Sequence, residues 1–203
     1  MADETPKTTP TNTATVRPGS TRAPQGGMAS AFAPRKKREK AASEYKKSLK
    51  EKQALKKLYG LSEKQLKRYV LETLDKIGKV NNLSDELIRR LEIRLDNVVF
   101  RLGFAKTRAQ ARQLVSHAYF LVNGKAVNIA SYQVELEDEI GVKETKKKKL
   151  IFANTPETLK KSQGPSWLKL DANTWKAEVT KFPNLSEVNP PVELSLIFEF
   201  YSR

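Results

Sequence analysis

From Ser43 to Tyr59 strong helix formers follow one another, and Gly60 stands where a left-handed residue would end a helix. Ser62-Glu-Lys-Gln65 has the form of a capping box: the serine hydroxyl accepts from the Gln65 amide, and the Gln65 side chain answers the Ser62 amide. Behind it Leu66, Tyr69, Val70, Leu74 and Ile77 recur at helical spacing, which predicts a second helix with one apolar face, running to about Ile77 and closed by Gly78. A third helix is expected from Asp85 to Ile93 behind Ser84. Asp96 is placed to cap a short fourth helix carrying Val98, Val99, Phe100 and Leu102, which Gly103 stops. Thr107-Arg-Ala-Gln110 repeats the capping-box pattern and opens a fifth helix through about Ser116.

Beyond Ser116 the pattern shortens. Phe120-Leu-Val122, Asn123-Gly124 and Lys125-Ala-Val127 read as a hairpin, because Asn-Gly tolerates the two positive φ angles of a type I′ turn. Gln133–Val134 and Glu139–Val142 are expected as further short strands, and Lys146–Lys149 as a solvated linker or surface run. Trp167–Leu170, Trp175–Thr180 and Leu194–Phe200 are strand-like, with Pro183, Pro190 and Pro191 suited to the loops between them. Residues 1–34 are rich in Thr, Pro, Ala and Gly, with Val16, Met28 and Phe32 as their apolar anchors. Too little surface is available there to offset ordering entropy, so a disordered tail is expected.

Charge changes the picture. The 203 residues suffice for one domain or two small ones, and carry 38 Lys and Arg against 23 Asp and Glu, a net charge of +15. Self-repulsion of that size answers an anionic partner. The excess is concentrated early: Arg35 to Gly78 holds 15 basic against 6 acidic residues, whereas the two signs balance after Lys149. No apolar run has membrane-spanning or signal-peptide length, so nucleic acid is favoured over membrane, and a cytoplasmic location is expected. With no Cys and one His, disulfides, thiolate chemistry and an ordinary zinc site are excluded, and nucleophile–base pairs have little to draw on. Neither GxxxxGK[ST] nor GxGxxG occurs. The expectation is a protein that is not an enzyme, with no cofactor and no metal.

The chemistry to be placed is a phosphate grip around Thr107–Val127. Arg108 and Arg112, four residues apart, share a helix face, while Ala111, Leu114 and Val115 point into a core. Arg94, Arg101 and Lys106 precede them, and a helix N-terminus behind Thr107 offers free amides. The hairpin would hold that helix and bring Asn123 and Lys125 to the same edge. The plainer reading is an ordinary solvated helix face. His117 is more often a packing or polar-contact residue than a catalyst, and its RNA contact is a hypothesis. Tyr45, Tyr59 and Tyr69, and likewise Trp167 and Trp175, are more often core than base-stacking platforms.

Several ordered blocks resemble the bacterial small-subunit ribosomal proteins of family four: Arg94-Leu-Asp-Asn-Val-Val-Phe-Arg-Leu-Gly-Phe, Thr107-Arg-Ala-Gln-Ala-Arg-Gln-Leu-Val-Ser-His and Leu121-Val-Asn-Gly-Lys-Ala-Val-Asn-Ile-Ala-Ser-Tyr. Ser43-Glu-Tyr, Glu51-Lys-Gln, Tyr59-Gly and Glu63-Lys-Gln upstream, and Pro165-Ser-Trp-Leu and Phe200-Tyr-Ser-Arg downstream, extend the likeness over roughly 35–203. The resemblance implies an α+β fold: a disordered tail over 1–34, a basic helical domain over 35–93, an inserted small α/β RNA-binding module over 94–149, and a second part of the helical domain with C-terminal strands over 150–203. It also implies a ribosomal monomer that binds small-subunit rRNA as a primary binder, nucleating assembly at the 5′ region. Ribosomal protein five of the small subunit is the expected neighbour, together with mRNA where it enters the subunit, near Arg35, Lys36, Lys37 and Arg38, and a contribution to translational accuracy. The chain departs from the family pattern in its Thr- and Pro-rich start, in Gln25-Gly-Gly where a Pro-Gly-Gln-His-Gly element is usual, in its lack of Cys, and in Ala118 at a position often Gly. Two other classes compete: an RNA-modifying or aminoacylating enzyme carrying the module, for which too little chain flanks it, and a rescue factor acting on free large subunits.

Overall fold

In the computed structural model the described residues are 44–153, 155, 159 and 164–202. The expected tail and the stretch Arg35–Arg38 lie outside them. Three helices come first: α1 (Glu44–Tyr59), α2 (Glu63–Leu74) and α3 (Leu83–Glu92). Gly60 adopts φ +61° and the Leu61 amide donates to the Lys56 carbonyl at 2.9 Å, so α1 ends in a Schellman turn. Both bonds of the Ser62–Gln65 capping box are present at the start of α2. That helix is shorter than its periodicity suggests: it stops at Leu74, turns follow to Lys79, and Ile77 is exposed rather than part of the apolar face. The turns are tied back by Lys76, whose ammonium donates to Glu86 on α3 at 2.5 Å. Asn82, not Ser84, caps α3, its side chain accepting from the Ser84 amide.

The C-terminal segment completes this bundle, but not as a strand. Leu194–Ser202 is a helix, and Leu194, Ile197, Phe198 and Tyr201 meet Leu55, Leu66, Leu87 and Leu91 in one core. Those four positions have the i, i+3, i+4, i+7 spacing of a helix face; Leu196 and Phe200 between them gave the segment its strand-like alternation.

The second core lies over a five-stranded antiparallel sheet. Helices α4 (Leu95–Arg101) and α5 (Arg108–Ser116) are followed by β1 (Phe120–Val122), β2 (Lys125–Val127) and β3 (Glu139–Val142), then β4 (Leu168–Asp171) and β5 (Lys176–Val179), in the spatial order β2-β1-β3-β5-β4. The hairpin forms at Asn123 (φ +50°) and Gly124 (φ +76°), as a type I′ turn requires. Gln133 makes only a single bridge to Arg94, so Gln133–Val134 is not a strand of its own. The Trp167–Leu170 and Trp175–Thr180 runs are strands, as expected, but β5 pairs with β3 rather than returning to the helical bundle. Burial explains this: Trp167, Leu168, Ala177 and Val179 are apolar on the face that meets Phe120, Val122 and Ile140. Lys146–Lys149 is not a linker but part of a short helix, α6 (Glu144–Lys147), and the turn into a 3₁₀ segment at Leu150–Phe152.

Candidate nucleic-acid interface

Where the two cores meet, four guanidiniums converge on two buried carboxylates. Glu92, at the end of α3, has no exposed surface. It accepts from Tyr59 Oη at 2.6 Å, from Asn97 Nδ2 at 2.6 Å, and from Arg101 Nε and Nη2 at 2.9 and 2.8 Å. Arg108 lies 3.9 Å from the same carboxylate, donates to Asn97 Oδ1 at 2.7 Å, and stacks over the rings of Phe100 and Tyr59. Asp96 receives Arg94 and Arg112 together. It is therefore not the cap of α4; the N-cap is Arg94, with no side-chain bond, and the carboxylate is spent on guanidiniums inside.

The consequences differ residue by residue. Arg94 is 2% exposed and also donates to Tyr69 Oη at 2.7 Å, so the structure makes it an interior strut rather than an RNA-facing group. Its partners hold its pKa above the ordinary arginine value against the opposing effect of burial. Arg112 reaches across to the carbonyls of Gly60 and Tyr59 at 2.5 and 3.1 Å, joining α5 to the end of α1. Its side chain is still one-third exposed. The hydrogen bonds that Arg101 donates to Glu92 raise the pKa of Arg101, whereas burial lowers that of Arg108 against the pull of Glu92. A pair buried this way is worth little as net stability, but removal of one member leaves a charge stranded. Four cations against two anions leave a surplus of two, carried on the rim.

The other residues of the expected grip sit around this rim. Thr107 caps α5, accepting from the Gln110 amide; the reciprocal arm of the box is displaced by one residue, since Gln110 Oε1 accepts from the Lys106 amide at 2.8 Å. Ala111, Leu114 and Val115 are buried beneath, as the pattern implied. Lys106, Thr107, Arg108 and Arg112 join Lys57, Tyr59 and Gly60 around a cleft of about 510 Å³. The hairpin residues are placed apart from this network. Asn123 donates to Asp138 and accepts from the Glu139 amide, which fixes the turn to β3. Lys125 is exposed on the edge strand β2. His117 is exposed and forms the C-cap of α5.

A second cleft, about 390 Å³, runs along the opposite flank of α5, lined by Gln110, Gln113, Leu114, His117, Tyr119, Lys146, Lys149 and Ile151. Only Gln110 and His117 of its polar groups were singled out from sequence; Tyr119 was passed over, and the two lysines were read as part of a solvated run rather than as a site. A period of three in Lys146 and Lys149 within an all-lysine run carried no signal that would separate them from Lys147, whose ammonium is bonded to Glu144 and the Thr174 carbonyl.

Fold and site together define a basic α+β protein in which a small sheet-backed helix module is locked onto a helical bundle by buried ion pairs. The S4 domain model matches residues 93–140, and the model for the N-terminal domain of ribosomal proteins S4/S9 matches residues 28–92. Small ribosomal subunit protein uS4 of Janthinobacterium sp. (strain Marseille) is 45% identical over 161 residues, 79% of this chain and 76% of that protein. The uS4 proteins of Caldicellulosiruptor saccharolyticus, 44% identical over 81% of the chain and 77% of their own length, and of Persephonella marina, 45% identical over 79% and 77%, are similar. The chain belongs to the uS4 family. Among the described residues no cluster of three or more His, Asp or Glu is placed to hold a metal, and no helix is long and apolar enough to cross a membrane.

Proposed function

We propose that this chain is a structural, rRNA-binding component of the small ribosomal subunit in the cytoplasm, with no catalytic role of its own. The observation that carries the reading is the exposed flank of α5. A helix N-terminus with free amides, Lys106 and Thr107 beside it, and the surplus charge of Arg108 and Arg112 all open on one cleft, while the apolar side of the helix is anchored in the core. Such a surface fits phosphate positioned by backbone contacts, with little means of reading base sequence. His117 on the opposite flank of α5, and Asn123 and Lys125 at the hairpin, lie outside this cleft and would make further, separate contacts. Near 45% identity to proteins of that name over four-fifths of the chain supports the same reading.

The finer role follows the family resemblance: primary binding at the 5′ region of small-subunit rRNA, nucleation of assembly there, contact with small-subunit ribosomal protein five, and basic residues at Arg35–Arg38 beside the path by which mRNA enters, with a share in accuracy. The corresponding organisation is a bundle of α1, α2, α3 and the C-terminal helix, with the module from 94–149 enlarged by β4 and β5. The test is direct. The chain sediments in stoichiometric amount with small subunits through moderate salt, and purified chain protects a junction in the isolated 5′-region rRNA in preference to random polyanion. Absence from small subunits, or equal affinity for any polyanion, would overturn the proposal.

A further inference from the structure

The two flanks of α5 are electrostatically unlike. On the first, the guanidiniums are already engaged by Glu92 and Asp96. On the second, no acid lines the cleft, and among the described residues neither Lys146 nor Lys149 has a carboxylate within ion-pair distance. Their ammoniums lie 5.1 and 5.5 Å from the centroid of one ring, Tyr119. That ring is held in place. The Tyr119 amide donates to Leu114 at the end of α5, its carbonyl accepts from Lys143, and Phe152 backs it at 5.9 Å, itself set edge-on against Trp175. The Gln113 amide and the His117 imidazole open on the same cleft, and no hydrogen bond within the described residues uses either.

We infer that this second cleft is a separate RNA subsite, in which Lys146 and Lys149 take a backbone phosphodiester while Gln113 and His117 hydrogen-bond the adjoining nucleotide over the Tyr119 platform. The inference rests on the rRNA-binding reading above and adds to it a second contact, on residues that, His117 excepted, lie outside the helix-and-hairpin grip. A rigid aromatic floor places two ammoniums without prior compensation, so they gain the full attraction of a phosphate, whereas Arg108 and Arg112 must share theirs with carboxylates. Lysine here serves as a point charge on a rotatable stem, which suits a phosphate more than a base edge.

The test measures binding of the full chain to 5′-region rRNA across a salt series, with hydroxyl-radical footprinting. Lys146→Ala with Lys149→Ala lowers the log–log salt slope by about 1, weakens binding about tenfold, and exposes one localised stretch of RNA backbone. Lys146→Arg with Lys149→Arg retains both slope and footprint, and retention of the slope also guards against misfolding in the alanine pair. Gln113→Ala lowers affinity a few-fold with the slope unchanged. Millimolar nucleoside monophosphate does not displace the RNA; displacement would mean the cleft takes free nucleotides instead, and would overturn the subsite as drawn. If wild-type chain binds but the alanine pair keeps its slope and footprint, the subsite is wrong and the rRNA reading stands. If wild-type chain does not bind at all, the underlying reading fails.

Discussion

Ala118 closes α5 in a backbone conformation that suits glycine. It sits at φ +52°, one residue past the C-cap His117, and donates to the Val115 carbonyl at 2.8 Å while Tyr119 donates to Leu114 at 3.2 Å. This is the Schellman arrangement, with Ala118 at the left-handed position. A Cβ there costs about 1 kcal/mol, because it crowds the following carbonyl. The turn is kept because it delivers Tyr119 to its place between α5 and β1. Ala118→Gly therefore raises stability by about 1 kcal/mol, less the greater chain entropy glycine gives the unfolded state. Urea unfolding of the two chains checks this: an unchanged or lower midpoint for the glycine variant would mean the strain is absent. The family resemblance marked this residue, as alanine at a position expected often to be glycine, without giving the reason. The reason is a φ angle, which no single-sequence pattern displays.

At the scale of elements, the bundle is held by polar ties as well as by its core. Glu63 at the start of α2 accepts from Lys52 of α1 at 2.7 Å and from Tyr201 of the C-terminal helix at 2.8 Å. Burial raises the Glu63 pKa, but these hydrogen bonds outweigh it and hold the carboxyl below the ordinary glutamate value; burial lifts the Tyr201 hydroxyl upward in turn. Glu86 behaves alike: partial desolvation is outweighed by Lys76, Arg89 and Arg90, and its pKa is lowered. A depressed folded-state pKa means the unfolded chain binds more protons, so the stability from these ties is present above the unfolded glutamate pKa and is lost as pH falls through the folded value. Thermal melts thus decline on acidification below about pH 4.5, near the unfolded glutamate value, and Glu63→Gln with Glu86→Gln flattens that decline; an equally steep decline in the variant would place the acid sensitivity elsewhere. Local signals made most of these elements legible, since glycine stops and the Ser62 and Thr107 caps act within one turn of chain. What they could not supply was partner choice. Leu194–Phe200 looked like a strand until α1 offered a groove for its helical face, and β4 and β5 were assigned to the bundle because pairing with β3 depends on contacts far apart in sequence. In the candidate site, the Arg108/Arg112 face was legible from four-residue spacing. The carboxylates that engage those arginines, Glu92 and Asp96, were not, because burial of a charge is a tertiary fact.

For the whole molecule, the question is where the net charge of +15 is free to act. The cations nearest the junction of the two cores are half-neutralised from within, and contribute rigidity as much as attraction. The free ones lie outward. Lys46, Lys47, Lys50 and Lys57 are exposed on α1, Lys64 and Lys67 on α2, Lys106 and Lys125 on the module, and Lys148 and Lys149 at its end. None of these makes an ion pair within the described residues. Dispersed ammoniums attract phosphate without choosing a sequence, and each one that meets a phosphate releases counterions. Choice of a site must then come from shape: α5 and its two clefts are fixed relative to the bundle, because Arg112 joins Asp96 to the end of α1. Binding to 5′-region rRNA is accordingly steep in salt. With roughly six to ten phosphate contacts the log–log slope falls near −5 to −9, and affinity drops on the order of a thousandfold or more between about 50 and 200 mM salt. Preference for the junction over an unrelated duplex survives across that range, since shape is not screened. A filter-binding series on both RNAs reads the two quantities together: a shallow slope would remove the basic surface as the source of affinity, and a preference that vanished with salt would remove the rigid join as the source of selectivity.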